Sequence, residues 1–147
     1  MEPRALPNKA VVFVSESASD LTQAHLLMVM ADAERFNRRA GVTGVTLFDG
    51  SRFLSYMEGP QDGLDVAFSR AIGATSHSNL IEIARGRVAQ RRLPYWPMRC
   101  IPLAPPELVQ LVRADWTGFL QRGGDQVAPA TAMELLVALV EPFAEAA

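Results

Sequence analysis

The stretch that decides the fold is VTGVTLFDGSRFLSYMEGP, residues 42–60. It contains two runs rich in β-branched and aromatic residues, VTGVTLF and RFLSYM, separated by DGS. An Asp-Gly pair between two such runs is a strong short-range signal for a β-hairpin. We therefore predict two antiparallel strands here, followed by a turn at Gly59-Pro60.

The second run sorts its side chains onto two faces, because successive side chains of a strand point in opposite directions. Phe53, Ser55 and Met57 share one face, and Leu54 and Tyr56 share the other. Ser55 is thus a small hydroxyl among apolar neighbours. We expect it to point towards the helices of the fold.

Strand and helix patterns surround the hairpin. AVVFVS reads as a strand that leads into a helix near Ser19. The apolar spacing predicts that helix from Leu21 to Asn37, and RRAG ends it. QDGLDVAFSRAIG predicts a second helix that ends at Gly73. LIEIARGRV and PYWPMRCI read as two further strands.

The order βαββαββ predicts an α+β fold, a ferredoxin-like mixed sheet with both helices on one face. We place this domain at residues 1–101. Two helices near 106–122 and 130–146 then form a C-terminal extension over 102–147. The segment MELLVALV is apolar around most of its circumference. The last helix should therefore cover the open face of the sheet or pack against a second subunit.

Composition argues against several classes of protein. Fourteen basic and sixteen acidic side chains leave a net charge of −2, which provides no overall field to attract nucleic acid or an anionic membrane. A single cysteine, Cys100, cannot form an intrachain disulfide, and the N-terminal residues lack a secretory signal. No apolar run approaches the roughly 20 residues that cross a bilayer. We expect a cytoplasmic protein with one core.

The sequence does not predict an enzyme. His25 and His77 are far apart, and neither has a cysteine or carboxylate at a ligand spacing, so we predict no metal site. No base accompanies Ser55, and there is no phosphate-binding loop or dinucleotide fingerprint. The arginines over 85–99 are more typical of a solvated face than of a nucleic-acid contact.

Four segments carry a family resemblance: VVFVSES, RFNRRAGVTGVTLFDGSRFLSYMEGP, SRAIGATSHSNL and RRLPYWPMR. Over about residues 10–100 they resemble the BLUF family, the flavin-binding blue-light sensors of bacteria. The resemblance implies FAD held between the two helices and a hydrogen-bond relay of tyrosine and glutamine that light rearranges. It also implies that Asn37, Arg70 and His77 belong to the flavin site and that Trp96 and Met98 couple to signalling.

The two switch positions of the family differ in this sequence. Phe13 stands at the tyrosine position and Ser55 at the glutamine position. Phenylalanine removes the electron and proton donor, and a serine hydroxyl lacks the reach and the donor-acceptor pattern of an amide. We therefore expect the ordinary photocycle to be lost. Phe36 stands where the family usually has Asn or His, and its ring could still stack on a flavin.

Two hypotheses from different classes are compatible with these residues. In the first, the chain is a sensory domain without the switch, which binds FAD through Phe13, Phe36, Asn37, Ser55, Arg70 and His77. In the second, it is a flavin-free interaction module whose pocket is filled by Phe13, Phe36 and Met57. An open cleft of several hundred cubic ångströms would count against the second. In both we expect a homodimer or larger homo-oligomer and a downstream protein partner.

Each candidate residue also has a simpler structural role. Asn37 could cap the first helix in the left-handed conformation, and Arg70 could be a surface arginine. Ser55 could fill space and bond to a backbone carbonyl. Trp96 and Met98, which strand alternation places on the same face, could pack the core beneath the helices.

Overall fold

The computed structural model describes residues 8–88, 90–116 and 132–145. Its elements are β1 (Asn8–Ser17), α1 (Gln23–Ala40), β2 (Thr43–Phe48), β3 (Arg52–Pro60), α2 (Gln61–Ile72), β4 (His77–Val88), β5 (Cys100–Pro102), α3 (Pro105–Arg113) and α4 (Ala132–Glu145). The α+β order agrees with the prediction. The parts of the predicted C-terminal helices at 117–122, 130–131 and 146 lie outside the described residues.

The five strands form one mixed sheet in the order β4-β1-β3-β2-β5. β1 pairs antiparallel with both β3 and β4, β2 pairs antiparallel with β3, and β5 pairs parallel with β2. The predicted hairpin consists of β2 and β3, and the rings of Phe48 and Phe53 stack across it with centroids 4.3 Å apart. The ferredoxin-like prediction is confirmed.

The sheet separates two hydrophobic clusters. On one face, β1 and β3 pack against α1 and α2 through Val11, Phe13, Met57, Leu64 and Ala67. On the other face they pack against α3 and α4 through Val12, Leu54, Tyr56, Leu108, Leu111, Met133, Leu136 and Val140. The apolar residues of α4 thus cover the second face of the sheet of their own chain.

The first helix begins later than the sequence predicts and ends in the RRAG stretch, as predicted. Thr22, not Ser19, is the N-cap, and its Oγ1 accepts a hydrogen bond from the His25 N–H at 3.0 Å. At the other end Gly41 takes the left-handed conformation with φ of 74°. Asn37 therefore lies inside the helix and is buried, so the capping role considered for it is wrong.

The last predicted strand is mostly irregular, since PYWPMRCI forms regular strand only from Cys100 onward. Before that point the chain lies beside β2, where Gly44 N–H donates to the Trp96 carbonyl at 3.0 Å and Thr46 N–H donates to the Arg99 carbonyl at 2.8 Å. Pro97 lies between these two bonds and has no N–H to donate to a ladder.

Strict alternation therefore fails in this segment. Met98 belongs to the cluster under α1 and α2, whereas Trp96 packs against the cluster under α3 and α4. The prediction that these two side chains share a face is wrong.

A buried carboxylate anchors the connection between β4 and β5. Glu58 is 0% exposed. Its Oε1 accepts from the Tyr56 hydroxyl at 2.7 Å and from the Arg92 N–H at 2.8 Å, and its Oε2 accepts from the Leu93 N–H at 2.8 Å. Burial, reinforced by the charge of Glu58, raises the pKa of Tyr56 far above its ordinary value, so the phenol keeps its proton and donates.

Replacing Glu58 should destabilise the fold strongly. Glu58→Ala leaves a buried phenol and two buried N–H groups without an acceptor, and each such group costs about 1–3 kcal/mol. We expect the free energy of unfolding in urea to fall by about 3 kcal/mol or more. Glu58→Gln, which keeps the shape and one acceptor oxygen, is the control and should lose less. An alanine variant within about 1 kcal/mol of the parent would contradict this role.

Asp49 organises the hairpin turn. Its Oδ1 accepts from the Ser51 N–H at 2.9 Å, the Ser51 hydroxyl at 3.1 Å and the Arg52 N–H at 2.7 Å. Gly50, between them, has φ of 101°, which glycine adopts without strain. Burial acts to raise the pKa of Asp49, but the hydrogen bonds and the charge of Arg52 lower it overall.

Asp49→Ala should reduce the free energy of unfolding by about 1–2 kcal/mol at neutral pH. Because the pKa of Asp49 is lower in the folded state, its contribution is complete above the unfolded value near 3.8 and is lost as the pH falls through the folded value. Urea unfolding at about pH 7 and about pH 2 measures this. Asp49→Asn keeps the acceptor oxygen but cannot titrate, so its stability should lack this pH dependence. An equal deficit of the alanine variant at both pH values would contradict the titration.

Candidate functional site

A cleft of about 560 Å³ lies between α1 and α2, with β1 and β3 as its floor. The two helices meet closely where α1 ends, because a Cβ at Gly63 would lie 2.2 Å from the Ala40 carbonyl oxygen. The cleft is lined by α1 from Leu26 to Asn37, the later part of α2 and the connection to β4. Its volume is within the range of small-molecule and cofactor sites.

The cleft brings together seven of the eight predicted site residues: Phe13, Phe36, Asn37, Ser55, Arg70, His77 and Met98. These side chains come from β1, α1, β3, α2, β4 and the segment before β5. Trp96 does not line the cleft.

Ser55 lies on the floor, opposite Phe13 in β1 and Thr46 in β2. Its Oγ is 3.0 Å from Thr46 Oγ1, which donates to Met98 Sδ at 3.3 Å. Since a hydroxyl has one proton, Ser55 must donate to Thr46. The bond to a backbone carbonyl that was considered as a simpler role for Ser55 is not formed, because a hydroxyl on the neighbouring strand is the partner.

Sequence reasoning missed Thr46 as a member of the site. The signal was available in the hairpin itself, because the DGS turn sets a register in which Thr46 and Ser55 face each other. The contact from Thr46 to Met98 could not be read in this way, since Met98 arrives on an irregular segment.

Phe13 makes its part of the floor apolar. Its ring centroid lies 5.3 Å from that of Phe68 and 6.5 Å from that of His77. The His77 ring also meets the edge of Phe53 at 6.2 Å. A phenyl ring offers no hydrogen bond, so nothing at position 13 can exchange a proton with a molecule in the cleft.

His77 ties the end of α2 to β1. Its Nε2 lies 2.5 Å from the Ala71 carbonyl oxygen, and its Nδ1 lies 2.6 Å from Ser15 Oγ. A carbonyl can only accept, so Nε2 carries the proton, and in the neutral ring Nδ1 accepts from Ser15. With both nitrogens engaged, His77 presents ring surface to the cleft.

Asn37 and Arg70 occupy the helical walls. The Asn37 Nδ2 donates to the Pro97 carbonyl at 2.9 Å and so holds the segment that carries Met98 against α1. Arg70 is exposed, and its guanidinium carbon lies 4.4 Å from the centroid of the Phe36 ring. Arg70 is thus both a surface arginine and part of the cleft lining.

Trp96 lies on the α4 side of the sheet. The Arg99 guanidinium carbon is 4.8 Å from the Trp96 ring and 5.6 Å from the Phe143 ring of α4. Nearby Cys100 is half-buried, and this burial raises the pKa of its thiol.

Across the three described ranges, no group of three His, Cys, Asp or Glu side chains is arranged to hold a metal ion. None of the helices in those ranges has the length and apolar character needed to cross a membrane.

Several solved structures share this fold. BlrB, a BLUF protein in its dark state, is 22% identical, with a TM-score of 0.68 over 90% of this chain and 97% of that chain. The BLUF domain of BlrP1 is 24% identical, with a TM-score of 0.66 over 93% of this chain and 92% of that chain. A bacterial light-regulated adenylyl cyclase is 16% identical, with a TM-score of 0.62 over 95% of this chain and 34% of that chain. No curated protein sequence matches significantly.

The family model for BLUF, sensors of blue-light using FAD, matches residues 9–99. This match is more than half of the chain, and it runs from β1 to the segment before β5. It therefore includes all the strands and helices that form the cleft. The chain belongs to the BLUF family.

Proposed function

We propose that the cleft binds a flavin, namely FAD, and that the domain is a sensory or regulatory module without the ordinary BLUF photocycle. The observation that supports this most directly is an open cleft whose floor carries Phe13 and the Ser55–Thr46 hydroxyl pair. We take positions 13 and 55 as those of the tyrosine and glutamine of the light switch, as the family resemblance implies.

The lining suits a planar ring with a polar edge. The lining is mainly apolar, and its polar residues include Asn37, Ser55 and Arg70. Ligand sites typically combine an apolar lining with a small number of such groups in about 300–1,000 Å³. The cleft is therefore of suitable size and character for an isoalloxazine ring.

The open cleft also favours flavin binding over the flavin-free alternative. That alternative requires Phe13, Phe36 and Met57 to fill the pocket, whereas all three line a space of about 560 Å³. Apolar walls around so much open volume gain more from a bound apolar ring than from water.

A bound flavin would absorb blue light and exchange electrons, and the side chains around it determine how the protein responds. Phe13 has no phenolic proton, so it cannot donate a proton or an electron coupled to a proton. Ser55 already donates to Thr46, whose proton points to Met98. A hydroxyl can rotate, but its rotation does not exchange an NH2 donor for a carbonyl acceptor, as the rotation of an amide side chain does. We propose that the domain instead responds to the redox state or occupancy of the cleft.

We also propose that the domain is not an enzyme and acts in the cytoplasm on a downstream protein, as a homo-oligomer. The single cysteine is compatible with a reducing compartment. A structure of similar fold forms about a third of a light-regulated adenylyl cyclase, which supports the idea of a module that controls a separate activity.

Absorption spectroscopy tests both parts of the main proposal. Titration with FAD should produce a bound-flavin spectrum, and blue illumination should leave it without the small red shift of the family. Phe13→Tyr combined with Ser55→Gln should restore that shift, because it returns both the phenol and the amide. Each single substitution is the control and should not restore it.

The outcomes separate the two claims. A red shift in the unmodified protein would show that the switch is intact. Failure of both the unmodified protein and the double variant to bind FAD would exclude the flavin proposal.

A further inference from the structure

A cation–aromatic contact spans the exposed side of the cleft. Arg70 lies in the last turn of α2 and Phe36 lies on α1. The guanidinium carbon is 4.4 Å from the ring centroid, and both side chains line the cleft. This Arg70–Phe36 pair therefore bridges the two helical walls.

Arg70 is available to a ligand. The ion pairs found in the described part of the chain use Arg35, Arg38, Arg52 and Arg85, not Arg70. Asp32, the acidic residue in the cleft lining, pairs with Arg35. The other basic side chain of the lining, His77, has both nitrogens engaged.

The contact between Arg70 and Phe36 is weaker than the bonds that Arg70 could make to an anion. A cation–π contact at an exposed site contributes little, since water still solvates the guanidinium. A guanidinium forms shorter, charge-assisted and often bidentate hydrogen bonds with phosphate or other oxyanions. An anionic group entering the cleft would therefore displace Phe36 as the partner of Arg70.

We propose that the Arg70–Phe36 pair is a latch over the cleft that an anionic group of the ligand opens by taking Arg70 from Phe36. The proposal rests on the proposed function, because the ligand in question is a flavin. A flavin has two sources of anionic charge, the phosphate of FMN or FAD and the ring itself when reduced and deprotonated. Phe36 is then a specificity-determining residue, since it competes with the anion for Arg70.

The first test uses pyrophosphate and needs no flavin. The Arg70 Nε–H signal is assigned in NMR spectra by its loss in Arg70→Lys. The Phe36 ring should displace the chemical shift of this signal, so the signal should move in Phe36→Leu. Pyrophosphate should move the signal of the unmodified protein towards its position in Phe36→Leu, whereas chloride at equal ionic strength should not. The latch is excluded if the Arg70 signal has the same chemical shift in the unmodified protein and in Phe36→Leu, or if pyrophosphate does not move it.

The second test compares flavin affinities. Relative to oxidised riboflavin, Phe36→Leu should tighten the binding of FMN and FAD about two- to fivefold, the equivalent of an exposed cation–π contact. In an Arg70→Met background Phe36→Leu should have no such effect. Arg85→Met removes an arginine that stacks on Phe68 at 5.0 Å outside the cleft, and it serves as the control.

The remaining outcomes distinguish the two sources of charge and the two proposals. If Phe36→Leu tightens only the binding of reduced riboflavin, measured without oxygen, the anionic group that binds Arg70 is the flavin ring. Equal weakening of all three flavins by Phe36→Leu would mean that Phe36 stacks on the ligand, and it would overturn the latch. If pyrophosphate moves the Arg70 signal but no flavin binds, the flavin proposal fails and the latch stands.

Discussion

The hydrogen bonds to the buried carboxylate of Glu58 are the interaction on which the arrangement of the cleft depends. They fix the chain at Arg92 and Leu93, and further along the same segment the Pro97 carbonyl reaches Asn37 and Met98 reaches Thr46. A carboxylate in the interior is costly unless donors surround it. Here the donors are the N–H groups that an irregular, proline-containing segment would otherwise leave without partners. The same bonds therefore satisfy the carboxylate and position one wall of the cleft.

β3 connects the two sides of the molecule. Its odd-numbered residues Phe53, Ser55 and Met57 face the cleft, and its neighbours Leu54 and Tyr56 face the helices α3 and α4. Because the strand is central in the sheet, a change at the cleft floor and a change in the opposite core act on one backbone. The segment before β5 also contributes side chains to both faces of the sheet, since Met98 lies at the cleft and Trp96 lies near α4.

The floor and the walls of the cleft offer different chemistry. The floor carries the Phe13 ring, the hydroxyl groups of Ser55 and Thr46 and the thioether of Met98. On the walls, Asn37 and Arg70 each have a partner within the protein, the Pro97 carbonyl and the Phe36 ring. The bond between Asn37 and the Pro97 carbonyl is structural, whereas a ligand would exchange with Phe36 for the contact to Arg70. This division is consistent with the proposal that the site reports occupancy or charge rather than a rearrangement of the floor.

The sequence alone determined the hairpin, the two faces of β3, the second helix and the ferredoxin-like layer, because these depend on local periodicity and turn chemistry. It also identified seven of the residues that line the cleft, although for most of them only through the family resemblance. It located the end of α1 in RRAG but left Asn37 open as a cap, since Asn37 and Gly41 both tolerate the left-handed conformation and only the packing at the helix end distinguishes them.

Only the tertiary structure decided where Trp96 and Met98 lie, which partners Ser55 and Arg70 take, and that the cleft is open. Pro97 breaks the alternation that a strand would impose, so the faces of the last segment depend on long-range bonds to Gly44, Thr46 and Glu58. Contacts between residues that are distant in the chain leave no periodic signal in sequence. They arise from how the elements pack, which local patterns do not specify.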